Sequence, residues 1–172
     1  MPRQKLKIVF LFGFCSFVWL ALDGGSAGAI PRMVPSQYPT IQSAINAATS
    51  GDVISVSPGV YRENLVINGK YIEVKATGNF NNTTLVPNPG QTAIMIQNVP
   101  YASGAPRVKI SGFKITEGNA PDGQGGGITI ANSADPIIEN CLINQNRAPV
   151  GGGIVVFNNS NPTIRNNYIT YN

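Results

Sequence analysis

A stretch of Gly-Gly-Gly-Ile at residues 125–128 returns 26 positions later at residues 151–154. Aligning residues 125–146 with 151–172 at that offset gives ten identities in 22 positions. They are patterned: after the glycines and the isoleucine, Asn132 meets Asn158, Pro136 meets Pro162 and Ile138 meets Ile164. Asn140 with Asn166, Ile143 with Ile169 and Asn146 with Asn172 complete the set. Self-similarity at such a period is the mark of a solenoid, in which each repeat buries its apolar face against the next. Upstream the spacing loosens but the columns persist. Ala93–Asn98 resembles Gly127–Asn132 and Gly153–Asn158, and a second column runs from Ile110 to Ile115, Ile138 to Ile143 and Ile164 to Ile169.

The units between corners are short and alternate with period two: Ile54-x-Val56, Leu65-x-Ile67, Ile72-x-Val74, Ile94-x-Ile96 and Ile128-x-Ile130. Gly, Asn, Pro or Ser follows most of them, which is the punctuation of strands and turns. They leave no room for βαβ units. An antiparallel sandwich also uses short alternating strands, but it gives no reason for one residue type to recur every 26 to 34 positions. Coils stacked about 4.8 Å apart do. The expected fold is therefore all-β, a single-stranded parallel β-helix.

Stacking also gives the asparagines a role, because side-chain amides one above another can hydrogen-bond. Asn98, Asn132 and Asn158 are expected to form one ladder, and Asn140 with Asn166 another, with Gly112 in the coil before. Asn also tolerates the left-handed conformation of sharp corners. Glu139 and Arg165 share a column and should pair across adjacent coils. At the N-terminal side Ile41, Ala44, Ile45 and Ala48 fall at i, i+3, i+4 and i+7. That spacing predicts a short amphipathic helix, with Thr40 as N-cap and Gly51 near its end, which plugs the first coil. The sequence stops just after a strand, at Tyr171-Asn172, so a helix continuing beyond residue 172 is expected.

Residues 1–29 read as a secretory signal. Arg3, Lys5 and Lys7 precede an apolar run from Ile8 to Leu22, and Ala27-Gly28-Ala29 supplies a small-residue cleavage site. An uncleaved anchor is the alternative, although a transmembrane helix ordinarily needs about 20 apolar residues. Residues 30–172 then form the β-helix domain, carrying nine Lys/Arg and seven Asp/Glu, a net +2 against +4 for the whole chain. No basic cluster remains to track a phosphate backbone, so nucleic acid is not an expected partner. Only Cys141 survives cleavage, which removes intrachain disulfides, and the chain has no histidine. Ser-His-Asp and Cys-His catalysis are excluded from the visible chain. No metal site and no cofactor are expected.

Tyr38-Pro39-Thr40-Ile41-Gln42-Ser43-Ala44-Ile45 and Ser57-Pro58-Gly59-Val60-Tyr61-Arg62-Glu63-Asn64-Leu65 together resemble the N-terminal part of pectin-lyase-like right-handed β-helix proteins, including pectin methylesterases. The later coils resemble the generic β-helix repeats of secreted bacterial proteins. The likeness spans residues 35–172 and implies a right-handed solenoid and an extracellular polysaccharide as partner. Methylesterases of this type carry their catalytic Asp in a Q-D-T segment beyond a Cys. Here Cys141 is followed by Leu142-Ile143-Asn144-Gln145-Asn146-Arg147, and Gln124 lies too far upstream of Gly127-Ile128-Thr129-Ile130 for a clean match. That esterase mechanism is therefore not expected. The residues of the N-terminal motif also have structural readings: Pro58-Gly59 as a tight turn, Tyr61 as a buried ring, and Glu63 and Asn64 as turn or ladder partners.

Chemistry is expected on the two longest polar connections, Thr116 to Gly126 and Gln145 to Gly152, which follow one column and should project from one edge. Glu117, Asp122 and Gln124 on the first and Arg147 on the second are the candidate substrate-binding residues, and the neighbouring glycines would let a substrate approach the backbone. Two carboxylates about 5–9.5 Å apart can hydrolyse a glycosidic bond, but Glu117 and Asp122 are exposed loop acids, and sugar binding is the stronger expectation. Two readings stay open: a secreted protein that binds or processes polysaccharide, and a non-enzymatic structural or adhesive one.

Overall fold

The computed structural model describes residues 31–172 apart from 102, 103, 105 and 123. The segment read as an export signal, residues 1–29, lies outside the described residues. The described part opens with β1 (Pro31–Val34) and α1 (Ile41–Ala47), then winds through triplets of short strands. The first coil is β2 (Val53–Val56), β3 (Gly59–Arg62) and β4 (Leu65–Asn68), and the second is β5 (Glu73–Ala76), β6 (Thr83–Val86) and β7 (Ile94–Gln97). Then come β8 (Lys109–Ser111), β9 (Lys114–Thr116) and β10 (Ile128–Ala131), followed by β11 (Ile137–Glu139), β12 (Leu142–Asn144) and β13 (Ile154–Val156). β14 (Thr163–Arg165) and β15 (Tyr168–Thr170) begin a fifth.

Each strand pairs with its equivalent one coil away, always in parallel, so three sheets form. They run β1-β2-β5-β8-β11-β14 (sheet A), β3-β6-β9-β12-β15 (sheet B) and β4-β7-β10-β13 (sheet C). The registers are the columns read in the sequence. Ile128 stands beside Ile94 and Ile154, Ile138 beside Ile110 and Ile164, and Ile143 beside Ile115 and Ile169. Alternate residues of each strand point inward, so these columns become one continuous core. Ile54, Val74, Ile110 and Ile138 are fully buried within it, each side chain worth ~1.5–3 kcal/mol of burial.

The helix plugs this core as its spacing predicts. Thr40 accepts a hydrogen bond from the Ser43 amide at 3.0 Å and Ser43 Oγ accepts one from the Thr40 amide at 3.2 Å, a reciprocal cap. Ile41, Ala44 and Ile45 face the interior. Glu63 has a structural part here: its two carboxylate oxygens accept the amides of Ile41 and Gln42 at 2.9 and 2.8 Å. A negative group on the first turn satisfies donors that the helix itself leaves free. Tyr61 packs against the core and donates to the Ser57 carbonyl at 2.8 Å.

Three corners close each coil, and each holds residues with positive φ in register. Gly112, Asn140 and Asn166 (82°, 55°, 55°) follow sheet A, and Glu117, Gln145 and Tyr171 (63°, 57°, 54°) follow sheet B. Asn98, Asn132 and Asn158 (56°, 56°, 50°) follow sheet C. The conformation expected of the asparagines is thus present, but the ladders are not those the repeat implied. Asn158 donates to Asn132 at 3.0 Å, whereas Asn132 reaches Gln97 at 3.4 Å and Asn98 reaches down to Asn68 at 2.8 Å. The side chains lean along the strand ends, so the expected run of three is interrupted. Asn140 and Asn166 do not bond to each other either. At that corner Asn167 does the bridging, donating to the Ile138 carbonyl and accepting from the Cys141 amide, both at 2.9 Å.

The fully interior rung is Asn146, with no exposed surface. Its amide nitrogen donates to the carbonyls of Ile115 and Asn144 and to Asn172 Oδ1 at 3.0, 3.1 and 2.9 Å. Its oxygen accepts the Gly118 amide at 2.9 Å. One side chain therefore ties three successive coils together at the corner between sheets B and C.

Candidate functional site

The two polar connections do share an edge. Asn119 bridges Arg147 in parallel, the Arg147 amide donates to the Gly118 carbonyl at 2.7 Å, and Ala120 donates to the Arg147 carbonyl at 3.1 Å. Within the first connection Asp122 forms an Asx-type turn. Its Oδ1 accepts the Gln124 amide at 3.3 Å and its Oδ2 accepts Gln124 Nε2 at 2.9 Å. This places Asp122 and Gln124 together over a depression of about 130 Å³ beside the outer face of sheet C. Asn64, Gln91, Thr92 and Met95 line it with them.

Glu117 and Arg147 do not join this group. Glu117 occupies the sheet B corner with φ 63° and is exposed. The Arg147 backbone is taken up in the stack between coils, and its side chain is also exposed. Of the four expected residues, two meet and two stand apart, so the depression holds one carboxylate rather than the pair that glycoside hydrolysis uses.

The glycines serve a different purpose from the one expected. A Cβ on Gly126 would lie 2.5 Å from the Arg147 carbonyl oxygen and 2.7 Å from that of Gly152. The space a side chain would take is filled by backbone of the next coil, not left open to a substrate. Gly-Gly-Gly recurs because the chain must lie against itself there.

Gln91 and Thr92 were missed by sequence reasoning, whereas Asn64, read as a turn or ladder partner, is one. Asn64 is tied down, donating to the Thr92 carbonyl at 2.7 Å and accepting from Asn88 Nδ2 at 2.7 Å, and Thr92 donates to the Gly125 carbonyl at 2.8 Å. Because Ile94 is in register with Ile128, Gln91 falls in the column of Gly125. Extending the repeat alignment back from Ala93 by two residues would have brought Gln91 and Thr92 to the same edge.

On the far side of the solenoid, sheet A carries a row of charge. Arg165 bonds Glu139 at 2.7 Å, the pair expected from the shared column, and Lys109 adds a second contact to Glu139 at 2.8 Å while lying 3.5 Å from Glu73. Lys109 is the main cause holding the Glu139 carboxyl below its usual range, with Arg165 adding to it against the opposing effect of burial. The reciprocal contact raises Lys109. Cys141 is buried, and that burial pushes its thiol up to about 11, which leaves it unreactive as a thiolate. Among the described residues, no group of three or more His, Cys, Asp or Glu comes together. No helix among them is long and apolar enough to cross a membrane.

Parallel pairing coil upon coil, three sheets around one aliphatic core and a helix over the first coil define a β-solenoid. The chain belongs to the right-handed β-helix family: the family model described as a right handed beta helix region matches residues 63–172. The resemblance to pectin-lyase-like proteins fits that family. No curated protein and no solved structure matches the chain.

Proposed function

We propose that this is an exported β-helix protein that binds extracellular polysaccharide at the edge of sheet C, acting as a binding surface rather than a hydrolase. The observation that carries the reading is the convergence of Asp122 and Gln124 with Gln91 around a depression floored by Met95. Carboxylate and amide groups beside an apolar floor suit a hydroxylated ring: the oxygens accept its hydroxyl protons, the amide nitrogens donate, and Met95 meets its C–H surface. The Asx turn fixes Asp122 in advance, so little side-chain freedom is lost on binding. The export signal read in residues 1–29 would deliver the domain to where such polymers lie.

Affinity electrophoresis of the exported chain through gels carrying neutral or uronic-acid polysaccharides tests this. Retardation by at least one polymer is expected, weakened about tenfold or more by Asp122→Ala combined with Gln124→Ala, with no release of reducing ends. Absence of retardation in every gel defeats the carbohydrate reading and leaves the structural or adhesive one. Equal retardation of the double variant removes the site from this edge.

A further inference from the structure

At the corner between sheets A and B, Asn140 and Asn166 stand one coil apart at φ 55°. Neither side-chain amide has a hydrogen-bond partner among the described residues, in contrast to Asn167, whose two amide atoms are both engaged. The left-handed corner does not require an amide, because Gly112 makes the same corner in the coil before at φ 82°. Asn is, with Gly, the residue that takes this conformation most readily, and at these two corners its amide is left without an internal partner among the described residues.

Both amides open into a cleft of about 510 Å³, completed by Phe80, Asn167 and Tyr168. Phe80 comes from the connection between β5 and β6, reaching past β9 and β12 to meet Tyr168 at the start of β15. Their rings are edge to face, 5.7 Å between centroids and 68° between planes. That arrangement occupies one ring's edge and the other's face, and leaves apolar ring surface turned to the cleft. Among the described residues, no Asp, Glu, Lys or Arg lines it. The corner thus offers aromatic surface and two amides without a hydrogen-bond partner among the described residues, on coils about 4.8 Å apart, with the neighbouring charges Glu139 and Arg165 paired to each other.

We propose that this cleft is a second ligand site, one that takes an uncharged saccharide running along the solenoid axis. A pyranose presents a C–H face suited to Phe80 and Tyr168 and hydroxyls at its rim. Each amide supplies an acceptor oxygen and a two-proton donor, so Asn140 and Asn166 can each hold the hydroxyls of a sugar unit. A uronate would bring a carboxylate to a cleft with no cation among its lining residues, the adjoining Arg165 being held by Glu139. The site shares no residue with the sheet C depression and stands or falls separately from it.

The test is a ¹⁵N-detected titration of the exported chain with cellohexaose, xylohexaose, mannohexaose and laminarihexaose, alongside hexagalacturonate. At least one neutral hexasaccharide is expected to shift the side-chain amide resonances of Asn140 and Asn166, and hexagalacturonate to leave them in place. Shifts at Gln91 and Gln124 alone would report the sheet C depression and overturn this proposal. Asn140→Gly with Asn166→Gly keeps the left-handed corners while deleting the amides, and should weaken binding at least tenfold. Phe80→Leu, altering only the aromatic wall, should weaken it as well. Unchanged binding in both variants, or no shift at Asn140 and Asn166 with any neutral sugar, overturns the proposal.

Discussion

Replacing Asn146 tests the interior rung on which three coils converge. In Asn146→Ala the Gly118 amide, buried and donating to Asn146 Oδ1, loses its partner. An orphaned buried donor costs about 1–3 kcal/mol. The bonds to the carbonyls of Ile115 and Asn144 also go, and a net ~0.5–1.5 kcal/mol attends each lost hydrogen bond. Since those carbonyls retain the option of other donors, the expected total is about 2–4 kcal/mol. Asn146→Asp discriminates further. It preserves the acceptor for Gly118 but turns the donor into a carboxylate oxygen facing three other oxygens. Burial and that repulsion raise the new carboxyl in the folded state. A folded-state value raised above the unfolded one, about 3.9 for Asp, gives stability that is present below the unfolded value and is lost as pH rises through the folded one. Relative to the parent chain, the Asp variant should therefore be least damaged in acid and most damaged near neutrality. Urea titrations followed by far-ultraviolet circular dichroism at several pH values measure both variants. A loss below ~1 kcal/mol for the Ala variant, or a pH-independent penalty for the Asp variant, would refute the claim that Asn146 holds the coils together.

Gly126→Ala should cost at least ~3 kcal/mol or abolish soluble expression, because its new methyl meets carbonyl oxygens of residues 147 and 152 at 2.5 and 2.7 Å, and backbone cannot swing aside as a side-chain tip can. Thermal melting of the purified variant reads this out. Glu139→Gln should lower the melting temperature near neutral pH and reduce its dependence on acid. The Glu139 carboxyl is depressed in the fold by Lys109 and Arg165, so its contribution is present above the ordinary carboxylate range and lost as pH falls through the depressed folded value. Lys109, raised by the same contact, contributes below the ordinary lysine range and loses that contribution as pH rises through its folded value. Melting curves of parent and variant that run parallel between pH 2 and 5 would contradict that assignment.

Sequence alone determined the solenoid, because its interior is written as a column code. Ile110, Ile138 and Ile164, or Ile94, Ile128 and Ile154, can recur in step only if each coil lies on the last, and the observed registers are those columns. The capping helix was legible for a similar reason: its apolar spacing and the Thr40 cap are local. Tertiary structure decided what lies on the surface of the coils. Loop length changes from coil to coil, so the alignment that brings Gln91 to the column of Gly125 does not say that Asp122 and Gln124 turn towards it, nor that Phe80 reaches Tyr168 or that Lys109 shares Glu139 with Arg165. The ladders show the same limit. The repeat places asparagines in line, but whether an amide bonds the rung above, a strand end beside it or nothing depends on the direction in which its side chain leaves the corner. A stack of like residues fixes the path of the backbone and aligns pairs such as Glu139 with Arg165, while the partner of a corner amide is set by the direction of its side chain, which spacing does not encode.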